Sequence, residues 1–284
     1  MRREISATIS LLADEQDFRA MQHYRSFAFD DYAAYLAWIE DLLKVCASQG
    51  SHTTLALFDP QDYADFCADT GLDPDSPSSR SRYTAELATT GPTIPYDGTP
   101  LADLVPVLID RALRQATWEY ATDLLDHLGT CASCGKDVGQ EAFTRAAGLL
   151  ARILAAARPG HQHLACSISA EPEALIVTLD ADTDDDGDVH LDETEALEFT
   201  TVLALGLSNQ PGGLVLRASA PSVADHICGW RLHEGDLAPL TSAEVFDAYC
   251  TDIDSGEPLA PEPGVVYCVP PDLGSKGPMP GRHP

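Results

Sequence analysis

Residues 31–60 read DYAAYLAWIEDLLKVCASQGSHTTLALFDP and decide the fold of the N-terminal part of the chain. Apolar residues at the 3.6-residue period of an amphipathic helix occur in its first part, at Tyr32, Tyr35, Leu36, Ile39, Leu42, Leu43 and Cys46. Gly50 follows at the position where a helix commonly ends in a left-handed residue. Residues 53–58 then predict a strand, and Asp59-Pro60 predicts the start of a further short helix.

A strand is also predicted at residues 5–11, ahead of this helix, so residues 1–72 are expected to form an N-terminal α/β unit. Parallel pairing of the two strands across the helix is the natural packing of that order. Residues 73–99 are rich in Pro, Ser, Thr and Gly and predict an exposed linker. Residues 100–160 predict two helices, joined by a loop with a C-x-x-C motif, that bridge the two ends of the chain.

A second α/β unit is predicted over residues 161–270. Its predicted strands and helices follow one another at residues 163–169, 175–179, 193–207, 214–217, 223–230, 241–249 and 265–269. The order of elements resembles that of the N-terminal unit, which an internal duplication would explain, as would the general frequency of β-α-β units. The sequence therefore predicts an α/β fold with two β-α-β-containing halves bridged by a helical middle segment. Residues 271–284 predict a disordered tail.

The chain is strongly acidic, with 45 Asp and Glu against 17 Lys and Arg and a formal net charge of −28. A surface this negative repels nucleic acid and anionic membranes, and it attracts cations and basic proteins. We therefore expect a basic protein partner, and binding to neither nucleic acid nor membrane. Two alternatives stay open. The acidic composition can serve solubility alone, in an organism whose genome favours Arg over Lys, or the protein can be an acidic nucleic-acid mimic that inhibits a DNA-binding protein.

The sequence predicts neither a membrane span nor a secretory signal. No apolar window approaches about eighteen residues, and the short N-terminal apolar stretch runs into Asp14 and Glu15. The eight cysteines are scattered along the chain and are expected to be mostly reduced core thiols. We expect a cytoplasmic location.

Residues 182–193 read DTDDDGDVHLDE and resemble the twelve-residue calcium loop of EF-hand proteins. The resemblance implies a set of Ca²⁺ ligands in which Asp188 binds through its carbonyl and His190 through water: Asp182, Asp184, Asp186, Asp188, His190 and Glu193. It covers these twelve residues only, because residues 175–179 predict a strand where an EF-hand needs a helix. A solvated Asp/Gly turn is the alternative.

Asp180 and Asp182 form a D-x-D pair at the end of the apolar strand. The run resembles the first motif of haloacid-dehalogenase-type phosphatases and the D-x-D of some sugar transferases, which implies Mg²⁺ or Mn²⁺ held against phosphate. The later phosphatase motifs are incomplete: Ser219 matches the expected hydroxyl, but the downstream lysine is Lys276 in the tail and no acidic pair follows. An Mg²⁺-dependent phosphotransfer or glycosyl-transfer enzyme is thus an alternative hypothesis.

The motif Cys131-Ala-Ser-Cys134-Gly resembles a zinc knuckle, in which the two thiolates of a C-x-x-C turn bind Zn²⁺. Further side chains from the neighbouring elements would complete a Cys₂His₂ or Cys₃His site: His127, His161, His163 and Cys166. A redox role of the motif and two incidental thiols are the alternatives.

No nucleophile elbow, Gly-rich phosphate loop or basic aromatic stripe occurs in the sequence. The aromatic residues Tyr32, Tyr35 and Trp38 are expected in the core rather than at a binding surface. The sequence thus favours a protein without enzymatic activity that holds a structural calcium ion and binds a partner through its acidic surface.

Overall fold

The computed structural model describes residues 6–171, 174–184, 186–252 and 255–273. Its mixed helix and strand content confirms the predicted α/β class. The chain divides into two compact units, Met1–Gln115 and Ala116–Pro284. The predicted disordered tail lies outside the described residues from residue 274 onward. Within the described residues, every helix is too short or too polar to cross a membrane.

The N-terminal unit is a three-stranded sheet with helices packed against it. Its elements are, in chain order, β1 (Ser6–Leu11), α1 (Glu15–Met21), α2 (Tyr32–Ser48), β2 (His52–Leu57), α3 (Pro60–Thr70), α4 (Pro77–Thr90), β3 (Thr93–Pro95) and α5 (Leu101–Asp126), which continues into the C-terminal unit. The sheet order is β1-β2-β3, and β1 and β2 are parallel, with Ile9 opposite Leu55. The β-α-β unit predicted from residues 31–60 is therefore present.

Residues 73–99 are a folded part of this unit and not the exposed linker that their composition predicts. Ser76 caps α4 through its hydroxyl and Pro77 occupies the first turn, so the residues that suggest a loop in fact start a helix. Tyr83 of α4 is buried and packs against Phe58, with 5.1 Å between ring centroids. β3 then pairs antiparallel with β2.

The C-terminal unit is built on a seven-stranded sheet. Its further elements are α6 (Val138–Ala156), β4 (Gly160–Ile168), β5 (Leu175–Thr183), β6 (Val189–Leu191), α7 (Glu193–Leu207), β7 (Gly212–Ser219), β8 (Asp225–His233), β9 (Asp236–Pro239), α8 (Ser242–Tyr249) and β10 (Val265–Tyr267). The strand order is β10-β8-β7-β4-β5-β6, with β9 also paired to β8. All pairs are antiparallel except β8 with β10, whose connection contains α8.

One face of this sheet packs against α7 to form the core. Residues 199–207 of α7 are all buried, and α7 also packs against α6. Leu150 and Ile153 of α6 belong to the same apolar cluster as Leu164 of β4 and Trp230 of β8. α6, which the sequence assigns to a helical bridge, is therefore part of the C-terminal core.

The structure does not support the internal duplication. β1 and β2 are parallel, whereas β4 is antiparallel to both β5 and β7. The helix predicted at residues 223–230 is wrong, because most of that stretch forms the strand β8. Its Ile227, Cys228 and Trp230 are buried, and the strand is paired on both edges.

A substitution at Gly212 tests how closely β7 packs against β4. A Cβ atom at this position would collide with the backbone carbonyl oxygen of Ser167, which the sheet holds in place. Gly212→Ala is therefore expected to lower the free energy of unfolding by about 1–3 kcal/mol, as overpacking does. Gly148→Ala in α6 is the control, because no atom lies within 4 Å of a Cβ there and alanine stabilises a helix by up to about 1 kcal/mol. Urea denaturation measures both, and equal stability of the two variants would contradict the expected collision.

Candidate functional site

Four side chains form a two-by-two grid on the outer face of the β4–β5 hairpin. His161 and His163 alternate along β4, Asp180 and Asp182 alternate along β5, and the ladder places His161 opposite Asp182 and His163 opposite Asp180. Because alternate residues of a strand share a face, all four project from the side of the sheet opposite its buried face. We refer to these four residues as the His–Asp grid.

The ring of His161 lies between the two carboxylates of the grid. Its Nε2 is 3.2 Å from Oδ1 of Asp180 and its Nδ1 is 3.2 Å from Oδ1 of Asp182. The Nδ1 of His163 is 2.8 Å from the same Asp180 oxygen. A neutral imidazole has one N–H to donate. If the His161 ring is neutral, only one of its two contacts is a hydrogen bond, and the other places a nitrogen lone pair against a carboxylate oxygen.

The neighbouring strands extend the grid on both sides. His190 of β6 pairs with Asp182, and Ser219 of β7 pairs with His161. One row of polar side chains therefore crosses four strands, from β7 to β6. The sequence places His190 and Ser219 in unrelated motifs, and their common row becomes visible only through the register of the sheet.

Arg217 is the basic residue nearest to the grid in register, because it lies opposite His163 on β7. Its guanidinium donates to Glu262 and Asp225, and these two carboxylates raise its pKa above the ordinary value. Both carboxylates flank Arg217 within hydrogen-bonding distance. The charge of Arg217 is thus compensated by its own partners and does not neutralise the carboxylates of the grid.

The predicted calcium ligands form a β-hairpin with a geometry different from that of an EF-hand loop. Asp182 and His190, at ligand positions 1 and 9, are paired in the β5–β6 ladder. The Asp184 carboxylate accepts hydrogen bonds from the amides of Asp188 at 2.8 Å and Asp186 at 3.0 Å. The bond from Asp188 is the main cause that lowers the pKa of Asp184 below its ordinary value.

Glu193 is the last of the predicted calcium ligands. It is the first residue of α7, directly after the N-cap residue Asp192. Among the described residues, which leave out Asp185, no group of three or more His, Cys, Asp or Glu side chains is arranged to hold a metal ion. The residues as arranged do not fit the predicted calcium loop. Calcium binding stays a prediction, and no step of the proposed function depends on it.

The predicted zinc ligands are not brought together as one set. Cys166 lies on the buried face of β4, opposite to His161 and His163, and burial raises its pKa to about 12. The prediction that Cys166 shares a zinc site with these two histidines is therefore wrong. The ring of His127 has its own partner, because its Nδ1 is 2.7 Å from the carbonyl oxygen of Asp123.

Cys131 and Cys134 lie in a tight turn between α5 and α6. The amide of Cys131 donates to the carbonyl of Lys136, and the amide of Gly135 donates to the carbonyl of Cys131, each at 2.8 Å. The Sγ of Cys131 is 3.0 Å from Oγ of Ser133. This hydroxyl is the main cause that lowers the pKa of Cys131 to about 6. The lowered pKa favours the thiolate form of Cys131, and zinc binding by this turn stays a prediction.

The phosphotransfer hypothesis requires carboxylates at the end of a buried parallel strand, and that arrangement is not formed. Asp180 and Asp182 lie on β5, which is antiparallel to both β4 and β6. Their side chains contact His161 and His163 on an exposed sheet face. The geometry of the D-x-D pair therefore gives the enzymatic alternative no support.

Residues 1–99 match the family model of a domain of unknown function (DUF8829). The match covers most of the N-terminal unit and ends before the C-terminal unit that carries the His–Asp grid. No curated protein and no solved structure matches the chain. These similarities therefore assign no function to either unit.

Cys131 is expected to react with iodoacetamide as a thiolate, with an alkylation rate that rises through a midpoint at about pH 6. Protonation lowers the rate below that pH. Ser133→Ala removes the main cause of the lowered pKa and should move the midpoint upward. Peptide mass spectrometry of the folded protein measures the rates, with the buried Cys166 as the unreactive control. A midpoint near the ordinary value of about 8.5 in both proteins would contradict the expectation.

Proposed function

We propose that this protein is a non-enzymatic binding protein that recognises a basic partner protein through the acidic outer face of its C-terminal sheet. The His–Asp grid is the observation that carries the proposal. Its two carboxylates contact imidazole rings that do not compensate their charge when neutral. A positively charged side chain of a partner supplies the missing charge.

The carboxylates of the grid are accessible to such a partner. The side chains of Asp180 and Asp182 are 53% and 71% exposed, and the turn after β5 adds the exposed carboxylates of Asp184, Asp186 and Asp188. An ion pair at an exposed site contributes about 0.2–1 kcal/mol. Several pairs are therefore needed for measurable affinity, and a partner segment with several basic residues supplies them.

An exposed apolar residue near the grid favours a protein partner over a free ion. Ile176 is 63% exposed and lies on the same face of β5 as Asp180 and Asp182, because all three occupy even-numbered positions of one strand. Burial of the part of Ile176 that is still exposed contributes about 1–2 kcal/mol, which is at least the contribution of one exposed ion pair. The face therefore fits a basic segment that also carries an apolar residue.

The net charge of −28 supports the same partner class, because it attracts basic proteins over distances comparable to the Debye length. A nucleic-acid mimic is the special case in which the basic partner binds DNA, and within the described residues no feature favours that partner over other basic proteins. The proposal places the protein in the cytoplasm. There its eight cysteines, all described and without a disulfide, would stay reduced.

The proposal is tested by fluorescence anisotropy with a fluorescein-labelled peptide rich in lysine and valine. Asp180→Asn combined with Asp182→Asn is expected to weaken binding about tenfold, equivalent to about 1.4 kcal/mol. Asp65→Asn combined with Asp69→Asn is the matched control, because it removes the same charge from exposed positions on α3. The control pair is expected to change the affinity less than about twofold, since long-range attraction is screened at about 0.15 M salt.

Equal weakening by the two double variants would show that net charge alone binds the peptide, and the proposal would then fail. It would also fail if the lysine peptide bound the wild-type protein with a Kd above about 1 mM. A peptide with glutamine in place of lysine measures the apolar contribution by itself. Circular dichroism confirms that both double variants keep their fold.

A further inference from the structure

The N-terminal unit contains a cavity of about 270 Å³ at the carboxyl ends of its two parallel strands. Leu12 and Phe58, the residues that directly follow β1 and β2, both line it. In α/β proteins, ligands bind outside the carboxyl ends of parallel strands. All residues that line the cavity lie between Ser10 and Thr84, within the stretch that matches the family model.

Aromatic rings form one wall of the cavity. Phe29 lies 5.2 Å from Tyr35 and 5.4 Å from Trp38 between ring centroids, and all three residues line the space. Trp38 is 51% exposed, so the expectation that it lies in the core is wrong. A tryptophan that is half exposed beside a cavity offers a flat apolar surface on which an aromatic ligand can stack.

A guanidinium and hydroxyl groups provide the polar part of the lining. Arg80 donates through Nη1 to the Ser26 hydroxyl at 2.8 Å and through Nη2 to the Ser26 carbonyl at 2.9 Å. Ser26 is held in turn by its amide, which donates to Asp75 at 2.7 Å. These bonds fix the position of Arg80 and use two of the five N–H donors of its guanidinium. The guanidinium is therefore pre-organised to bind an anionic group.

A pair of hydroxyls adds a further donor to the cavity. The Oγ of Ser10 and the Oγ1 of Thr84 are 2.6 Å apart, and either can be the donor. Whichever hydroxyl donates, the hydrogen of the other is available to a ligand oxygen. Both residues line the same space as Arg80.

We infer that this cavity binds a small aromatic carboxylate, with one or two fused rings stacked on Phe29 and Trp38 and its carboxylate bonded to Arg80 and the hydroxyl pair. The volume lies just below the range of about 300–1,000 Å³ typical of sites for drug-sized ligands, so it suits a compact ring system. A carboxylate accepts two parallel bonds from a guanidinium. This site rests on observations in the N-terminal unit and is independent of the proposed partner binding.

The test compares two probes with the same ring system and opposite charge, naphthalene-2-carboxylate and 2-(aminomethyl)naphthalene, by isothermal titration calorimetry of the full chain. The net charge of −28 favours the amine by long-range attraction. A preference for the carboxylate therefore requires local groups in the cavity that favour an anion, and the Arg80 variant tests which of them supplies it. We expect the carboxylate to bind at least about tenfold more tightly than the amine.

Arg80→Gln is expected to abolish the preference for the carboxylate, and Arg82→Gln is its matched control. Arg82 lies two residues further along α4 and is exposed, so the control removes the same charge outside the cavity. Trp38→Ala, at a half-exposed position, should weaken the binding of both probes, because their common ring system stacks on this side chain. Thermal unfolding confirms that each variant is folded.

Three results would overturn the inference. The first is equal or tighter binding of the amine by the wild-type protein. The second is an equal loss of carboxylate affinity in Arg80→Gln and Arg82→Gln. The third is a Kd above about 1 mM for both probes. These outcomes do not depend on whether the lysine peptide binds the C-terminal sheet, so the two proposals can fail separately.

Discussion

The strict two-residue alternation of β5 is the constraint on which the rest of the C-terminal unit depends. Its odd-numbered residues from Leu175 to Thr183 are buried and its even-numbered residues are exposed. A slip of one residue against β4 would turn Asp180 and Asp182 into the core and Leu179 out of it. Burying an unpaired carboxylate costs of order several kcal/mol, so the core fixes the register. The His–Asp grid is thus positioned by residues on the opposite face of the same strand.

The N-terminal β-α-β unit could be predicted because its signals are local. The period of α2 and the caps Asp31 and Asp59 can be read from neighbouring residues alone. α4 cannot be predicted with the same ease, because a serine followed by a proline is common both in loops and at helix N-termini. β8 is not predictable from local sequence, because residues 223–230 carry no clear period and their conformation depends on pairing with strands distant in sequence.

The histidines and the aspartates of the candidate site could each be identified from the sequence, but their contact with one another could not be predicted. His161 and Asp182 lie 21 residues apart, and their contact requires the hairpin register, which no local pattern specifies. The exclusion of Cys166 could be predicted, since it lies three positions after His163 and therefore on the opposite face of the same strand. The exposure of Trp38 could also be predicted, because position 38 is not among the apolar positions of the helical period that includes Tyr35 and Ile39.

The scarcity of basic residues makes the partners of each one informative. Arg145 donates to Asp236 and Arg217 to Asp225, so these two cations join elements of the C-terminal unit through ion pairs. Within the described residues, the hydrogen bonds of Arg80 instead go to the hydroxyl and carbonyl of Ser26, and Arg80 lines the cavity. The net charge of −28 favours cations over anions across the whole protein, so it does not explain a preference for a cation at one site and for an anion at another. Both preferences therefore have to arise from local placement: carboxylates on an outer sheet face, and a guanidinium fixed beside aromatic rings.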